Sequence, residues 1–241
     1  SHKTASFFRN VVIQQDKLNN LFREQLIPRA QKRKWYQKAK APVPTEKSSL
    51  DIPYVFVPFQ VHDDTQIIIH SPYIRNMEEL TALVAEAVKK HNQNCNDNLN
   101  IIAKEHPSDS GRTNYDSLKK RYPEITFLNN HSTEDLISNA KAVITINSSV
   151  GIESLLKHKK VITLGNSAYS IDGIVKQARN IDELASALDS IETKVDEDLI
   201  NSVLYYIRYI YSVEGSWRNP SEIHLQNIKK RVEAIFTGLF Y

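Results

Sequence analysis

From residue 53 onward, short runs rich in β-branched and aromatic residues alternate with segments of helical period, and this alternation constrains the fold more than any other feature. The predicted strands are residues 53–58, 66–69, 100–104, 125–128, 141–146 and 160–164. Between and after them, residues 76–91, 115–122, 133–138, 151–158 and 181–190 have the spacing of helices. Ser132 is a candidate N-cap, and Asp182 and Glu183 suit the positive end of their helix. Short strands separated by helices predict an α/β fold with a parallel sheet covered on both faces. Such sheets bind ligands beyond the carboxyl ends of their strands, so a site is to be sought just after each strand.

The flanks differ from this core. Residues 6–27 read as a helix with Phe7, Phe8, Val11, Val12, Leu18, Leu21, Phe22 and Leu26 on its apolar positions, ended or kinked by Pro28. A basic run from Arg29 to Lys40 follows, with Trp35 and Tyr36 inside it, and then Pro42, Pro44, Ser48 and Ser49 as a linker. Two readings of the basic run stand side by side. It is a solvated helix face, or it is drawn to anionic lipid or an acidic polymer, at roughly 1 kcal/mol for each Lys or Arg near such a surface. From about residue 196 the pattern is helical to Tyr241, with one break at Glu214–Pro220. The expected organisation is therefore residues 1–50 as an N-terminal helical segment and basic linker, 51–194 as the α/β domain, and 195–241 as C-terminal helices.

Composition removes several classes. A chain of 241 residues buries a core without disulfide or metal staples. The single cysteine, Cys95, excludes a disulfide framework and a cysteine-rich zinc site. It lies in the polar run His91–Asn98, which reads as a loop and favours a structural role over a catalytic thiol. A net charge of +3 does not call for nucleic acid, and no run of apolar residues is long enough to span a membrane. No signal peptide is recognisable; the start at Ser1-His2 without methionine suggests a processed end and a natural protein that extends upstream. Six glycines is about a third of the ordinary share. None has the spacing of G-x-G-x-x-G, and no P-loop exists, so any phosphate must be held by other means.

Three strand ends carry chemistry. The first leads into Gln60, His62, Asp63, Asp64 and Gln66, where a carboxylate could serve as a general base, a nucleophile in glycosyl transfer or merely a turn cap. Its adjacent carboxylates could also hold a cation, but no metal cluster is expected. The second end is Lys104, Glu105, His106 and Pro107, followed by Arg112: a cationic corner stiffened by proline, with His106 a catalytic candidate able to donate to a phosphate oxygen or protonate a leaving group, or else a histidine in a polar surface loop. The third is Asn147, Ser148, Ser149, Gly151 and Glu153, a serine pair at a predicted helix start. Free N–H groups and hydroxyls there make an anion site without a glycine loop, although a plain N-cap would use Ser148 as well. Gly151 permits close approach of a backbone or ligand, and Glu153 could accept from ribose hydroxyls or only stabilise its turn. A fourth segment, Gly165 to Gly173, contains Tyr169, either a stacking partner for a base or sugar or a packing residue.

The set Gln60-Val-x-x-Asp64-Thr-Gln66, Lys104-x-His106-Pro107, Asn147-Ser-Ser-Val-Gly-Ile-Glu153 and Gly165-x-x-x-Tyr169, in that order, resembles the bacterial capsular polysaccharide biosynthesis family that includes the capsule β-Kdo transferases. The resemblance covers residues 52–190. The His-Pro and Ser-Ser pairs are also similar to the nucleotide motifs of bacterial sialyltransferases. This resemblance implies a Rossmann-like sheet forming the nucleotide-sugar half of a GT-B-like glycosyltransferase with CMP-Kdo as donor and no further cofactor. It implies that His106, Ser148 and Ser149 hold the CMP phosphate, that Lys104 adds charge, and that Asp64 is the nucleophile candidate. Kdo is itself an acid, so a cationic corner suits both its carboxylate and the phosphate. A lipid-linked or glycan acceptor, a cytoplasmic location and peripheral contact with the inner face of the inner membrane follow as expectations. Glu105 departs from the pattern, and its side chain must point away from any anion. One complete Rossmann half is recognisable, so the acceptor half is expected upstream, from another module, or reduced to the N-terminal helices. Two alternatives remain: a sialyltransferase-like or other nucleotide-sugar transferase with Asp64 as general base, and a non-catalytic sugar-nucleotide-binding module of a larger assembly.

Overall fold

The computed structural model describes residues 50–61, 65–109, 113–216 and 219–237. The predicted helix at 6–27, the basic run, its linker and the His62–Asp64 and Ser110–Arg112 segments lie outside these residues.

Six strands form one parallel sheet: β1 (Tyr54–Pro58), β2 (Asn100–Lys104), β3 (Ile125–Phe127), β4 (Ala142–Thr145), β5 (Lys160–Thr163) and β6 (Val175–Gln177). Their order is β3-β2-β1-β4-β5-β6, that of the Rossmann fold, and the chain direction across the sheet reverses between β1 and β4. The connections are helical: α1 (Thr65–His70), α2 (Met77–Cys95), α3 (Tyr115–Arg121), α4 (Thr133–Asn139), α5 (Val150–Leu155) and α6 (Ile181–Leu188). Beyond them lie α7 (Glu197–Tyr205), a π-helical turn at Tyr206–Tyr211 and α8 (Glu222–Phe236).

The pleat explains why the strands read as continuous apolar runs rather than alternating ones. On β1, Val55 and Val57 enter a core shared with α2 and α6, while Tyr54 and Phe56 enter a second core with Leu136 and Ile137 of α4. The Tyr54 hydroxyl donates to the Leu136 carbonyl at 2.8 Å, and burial pushes its pKa up to about 12. A third core joins Leu155, Val161, Tyr169 and Ile174 to Leu199, Ile200, Val203 and Leu204. Thus α7, although beyond residue 194, packs directly on the α/β unit.

Two expectations need correction, and one strand was not foreseen. Residues 66–69 are not a strand but lie in α1, where Ile67 alone enters the core and Ile68 and Ile69 are exposed. Both edges of β1 are already taken by β2 and β4, so tertiary pairing overrides the β-propensity of three isoleucines. Cys95 is not in a loop: α2 runs through it and ends at Asn96, which takes the left-handed conformation at φ 51° and returns its N–H to the Asn92 carbonyl. β6 escapes sequence reading because only Val175 of its three residues is buried. The break expected at Glu214–Pro220 is present: a π-helical turn carries the helical stretch to Tyr211, and α8 starts at Glu222.

Candidate active site

The carboxyl ends of β1 and β4 meet at the topological switch point, and a buried amide pair joins them. Gln60 and Asn147 are each two residues beyond their strands, and both are buried. Gln60 Nε2 donates to Asn147 Oδ1 at 3.0 Å. Gln60 Oε1 accepts from the Asn147 N–H at 3.2 Å and from the Thr145 hydroxyl at 3.3 Å. Asn147 Nδ2 then donates to the Gln66 carbonyl at 2.8 Å, tying α1 to the same crevice. Gln60 and Asn147 therefore tie together the two strand ends of the candidate site, and Gln66 contributes its backbone carbonyl. Thr145 was missed by sequence reading. Its signal is a polar residue closing an otherwise apolar strand, and its hydroxyl also accepts from the Ser148 N–H at 3.2 Å.

The serine pair divides its labour. Ser148 Oγ accepts from the Val150 N–H at 3.2 Å, and its carbonyl accepts from the Gly151 N–H at 3.0 Å. Ser149 is exposed and its side chain makes no capping bond, so its hydroxyl remains available to a ligand. Tyr169 takes the packing role of its two readings: it is 3% exposed, and its hydroxyl donates to the Ser148 carbonyl. Burial raises its pKa far above the ordinary tyrosine value, so it stays a donor. Gly151 is the counterpart of this ring, since a Cβ there would come within 2.4 Å of the Tyr169 hydroxyl oxygen. The close approach that this glycine permits is to a side chain of the same protein. Glu153 is exposed on the first turn of α5; desolvation, and secondarily the charge of Glu134, raise its pKa.

The third arm follows β2. Pro58 is in register with Lys104, and the Phe59 N–H donates to the Lys104 carbonyl at 2.9 Å, so the two chains leave the sheet side by side. Lys104 Nζ donates to the His131 carbonyl at 2.5 Å, and desolvation lowers its pKa. Glu105 pairs with Lys119 Nζ at 2.8 Å, which turns its charge toward α3. His106 is half-buried, and its Nδ1 accepts from the Ser108 N–H at 3.1 Å. A neutral ring bonded this way carries its proton on Nε2 and presents a donor there. Pro107 is exposed at the centre of the turn, which the Asp109 N–H closes onto the His106 carbonyl at 3.0 Å.

The His106 arm and the Ser148–Ser149 arm stand on opposite sides of β1, roughly two strand spacings or about 10 Å apart. No hydrogen bond joins them among the described residues. Asp64, the nucleophile candidate, lies outside the described residues.

The model of the family described as capsule polysaccharide biosynthesis protein matches residues 12–216. The chain belongs to that family. A relative, "Protein FixF" of Sinorhizobium fredii, is 34% identical over 167 residues, covering 69% of this chain and 40% of that protein. The "Capsule polysaccharide export protein KpsS" of Escherichia coli is 30% identical over 117 residues, 46% of this chain and 29% of the relative. The chain thus spans less than half the length of both. Among solved structures, the β-Kdo 2,7-transferase KpsC of Thermosulfurimonas dismutans aligns with a TM-score of 0.49 at 22% identity, covering 82% of this chain and 57% of that one. No helix among the described residues is long and apolar enough to cross a membrane.

Proposed function

We propose that this chain is the donor-binding half of a GT-B-like glycosyltransferase that transfers Kdo, or a related acidic sugar, from a CMP-activated donor during synthesis of a cell-surface polysaccharide. The observation that carries this reading is the pair of donor groups flanking the switch point, Nε2–H of His106 on one side and the unengaged hydroxyl of Ser149 on the other. Membership of the capsule family supports the same direction.

In this reading the phosphate of the donor lies between the two arms. As the bond from sugar to phosphate breaks, negative charge grows on the leaving phosphate oxygen. A donor placed at that oxygen stabilises the transition state more than the ground state. His106 is suited to this because its Nδ1 is engaged by the Ser108 N–H, which leaves the Nε2 side of the ring to donate to that oxygen. Lys104 uses one of its three N–H donors on the His131 carbonyl, and the remaining two serve the sugar carboxylate. Asp64 is the candidate for attack on the anomeric carbon. The acceptor is a lipid-linked or other glycan at the inner face of the inner membrane.

Alanine substitutions test the arms separately. His106→Ala is expected to weaken CMP binding by about tenfold or more, the loss of one hydrogen bond to a charged group. Ser149→Ala is expected to weaken it by roughly threefold to tenfold, with an unchanged unfolding midpoint because that side chain is exposed. Undiminished CMP affinity in both variants overturns the placement.

A further inference from the structure

At the opposite, amino-terminal end of the strands, where α2 and α6 end, three side chains with different donor atoms converge. His91 and Cys95 are one helical turn apart on α2, and Asp189 follows α6. His91 is 3% exposed, and its Nδ1 lies 2.7 Å from Asp189 Oδ1. Cys95 Sγ lies 3.4 Å from the same oxygen, and one ligand atom from each of the three residues lies within 4.8 Å of the others. On the other side of the ring, His91 Nε2 lies 3.3 Å from Asp97 Oδ2.

We propose that His91 Nδ1, Cys95 Sγ and Asp189 Oδ1 bind a zinc-type divalent ion, with Asp97 orienting the histidine from behind. The donor set selects the metal. One imidazole, one thiolate and one carboxylate suit zinc or cobalt, whereas calcium and magnesium require oxygen ligands throughout. A tetrahedral ion with ligand atoms about 2.0–2.3 Å away holds them about 3.3–3.8 Å from one another. The 3.4 Å sulfur-to-oxygen separation already lies in that range, and the 2.7 Å His91–Asp189 pair has to open by about 0.6 Å as the ion takes the place of their hydrogen bond. Binding also displaces the Cys95 thiol proton to solvent. Nε2–H stays on Asp97, giving the carboxylate–histidine–metal relay that fixes ring orientation. Cys95 and Asp189 are exposed, so the ion enters from solvent and water takes the fourth position. Sequence spacing passes over this trio because Asp189 is 94 residues from Cys95. The ion would pin the C-terminal ends of α2 and α6 together, beside the existing Lys90–Asp182 pair at 2.8 Å.

The test is a Co²⁺ titration of the full 241-residue chain, read by the sulfur-to-cobalt charge-transfer band in the near ultraviolet. Cys95 is the sole cysteine, so any such band reports this site. Wild-type protein is expected to saturate at a single ion per chain and to lose the band on adding Zn²⁺. Cys95→Ser, an exposed and conservative change, is expected to abolish the band with an unaltered far-ultraviolet circular dichroism spectrum. Asp97→Asn is expected to weaken binding by about tenfold. Absence of the band at saturating Co²⁺ in the wild type, or an undiminished cobalt affinity in Asp189→Ala, overturns the proposal.

Discussion

Gln60→Leu is expected to destabilise the protein by roughly 3–5 kcal/mol, the largest effect of any polar substitution near the site. The side chain has nearly the volume of leucine, so packing changes little. What is lost is a set of three hydrogen bonds. Asn147 Oδ1 loses its donor, while the Asn147 N–H and the Thr145 hydroxyl lose their acceptor. Thr145 is fully buried and Asn147 is 6% exposed, so water does not replace the missing partner. Each stranded group costs about 1–3 kcal/mol, and partial relaxation brings the sum below simple addition. The consequence extends to function, because Asn147 also holds α1 through the Gln66 carbonyl and the next residue is Ser148. Urea denaturation of the variant measures this directly. A loss under about 1 kcal/mol would mean that the amide pair does not tie the two strand ends together.

Gly151→Ala is expected to cost about 2 kcal/mol, against the usual gain of about 1 kcal/mol when alanine replaces a helical glycine. The new methyl would lie 2.4 Å from the Tyr169 hydroxyl oxygen and 2.6 Å from two of its ring carbons. The ring has nowhere to retreat. It is buried among Leu155, Val161, Ile174 and Leu199, and its hydroxyl is bonded to the Ser148 carbonyl. Either the ring or the start of α5 must move, and both carry Ser148 and Ser149 with them. A double-mutant cycle with Tyr169→Leu separates this clash from a general helix effect. The expected coupling is at least 1 kcal/mol, with the double variant more stable than the sum of the single changes. Additive costs would show that the glycine serves something other than the tyrosine.

Much of the sheet was legible because its central strands are apolar on both faces and bounded by polar turns. Val55-Phe56-Val57 and Ala142-Val143-Ile144 could be little else in a chain of alternating elements. The isoleucines at 67–69 show the limit of that reasoning: composition favours a strand, but a strand needs a free edge and β1 has none. β6 is the converse, a strand formed by pairing with β5 and nearly devoid of apolar signal.

The candidate site was legible as a set of strand ends, since the position of polar residues after each strand follows from the fold alone. The division of roles within it was not. Whether Ser148 or Ser149 is used by the backbone depends on bonds to Val150, Gly151 and Tyr169, and no spacing rule encodes those. Lys104 looked like a free cation beside His106, but its ammonium reaches across to the loop after β3. The cluster around Cys95 was hidden for the same reason, because its third member arrives from a distant helix.

In the proposed function, the crevice between β1 and β4 holds the nucleotide of a CMP-activated sugar. Calorimetric titration of the chain with CMP and, separately, with UDP tests it most directly. CMP is expected to bind at a single site, at least about tenfold more tightly than UDP, a difference of about 1.4 kcal/mol. Equal affinity for both nucleotides, or tighter binding of UDP, would contradict the account.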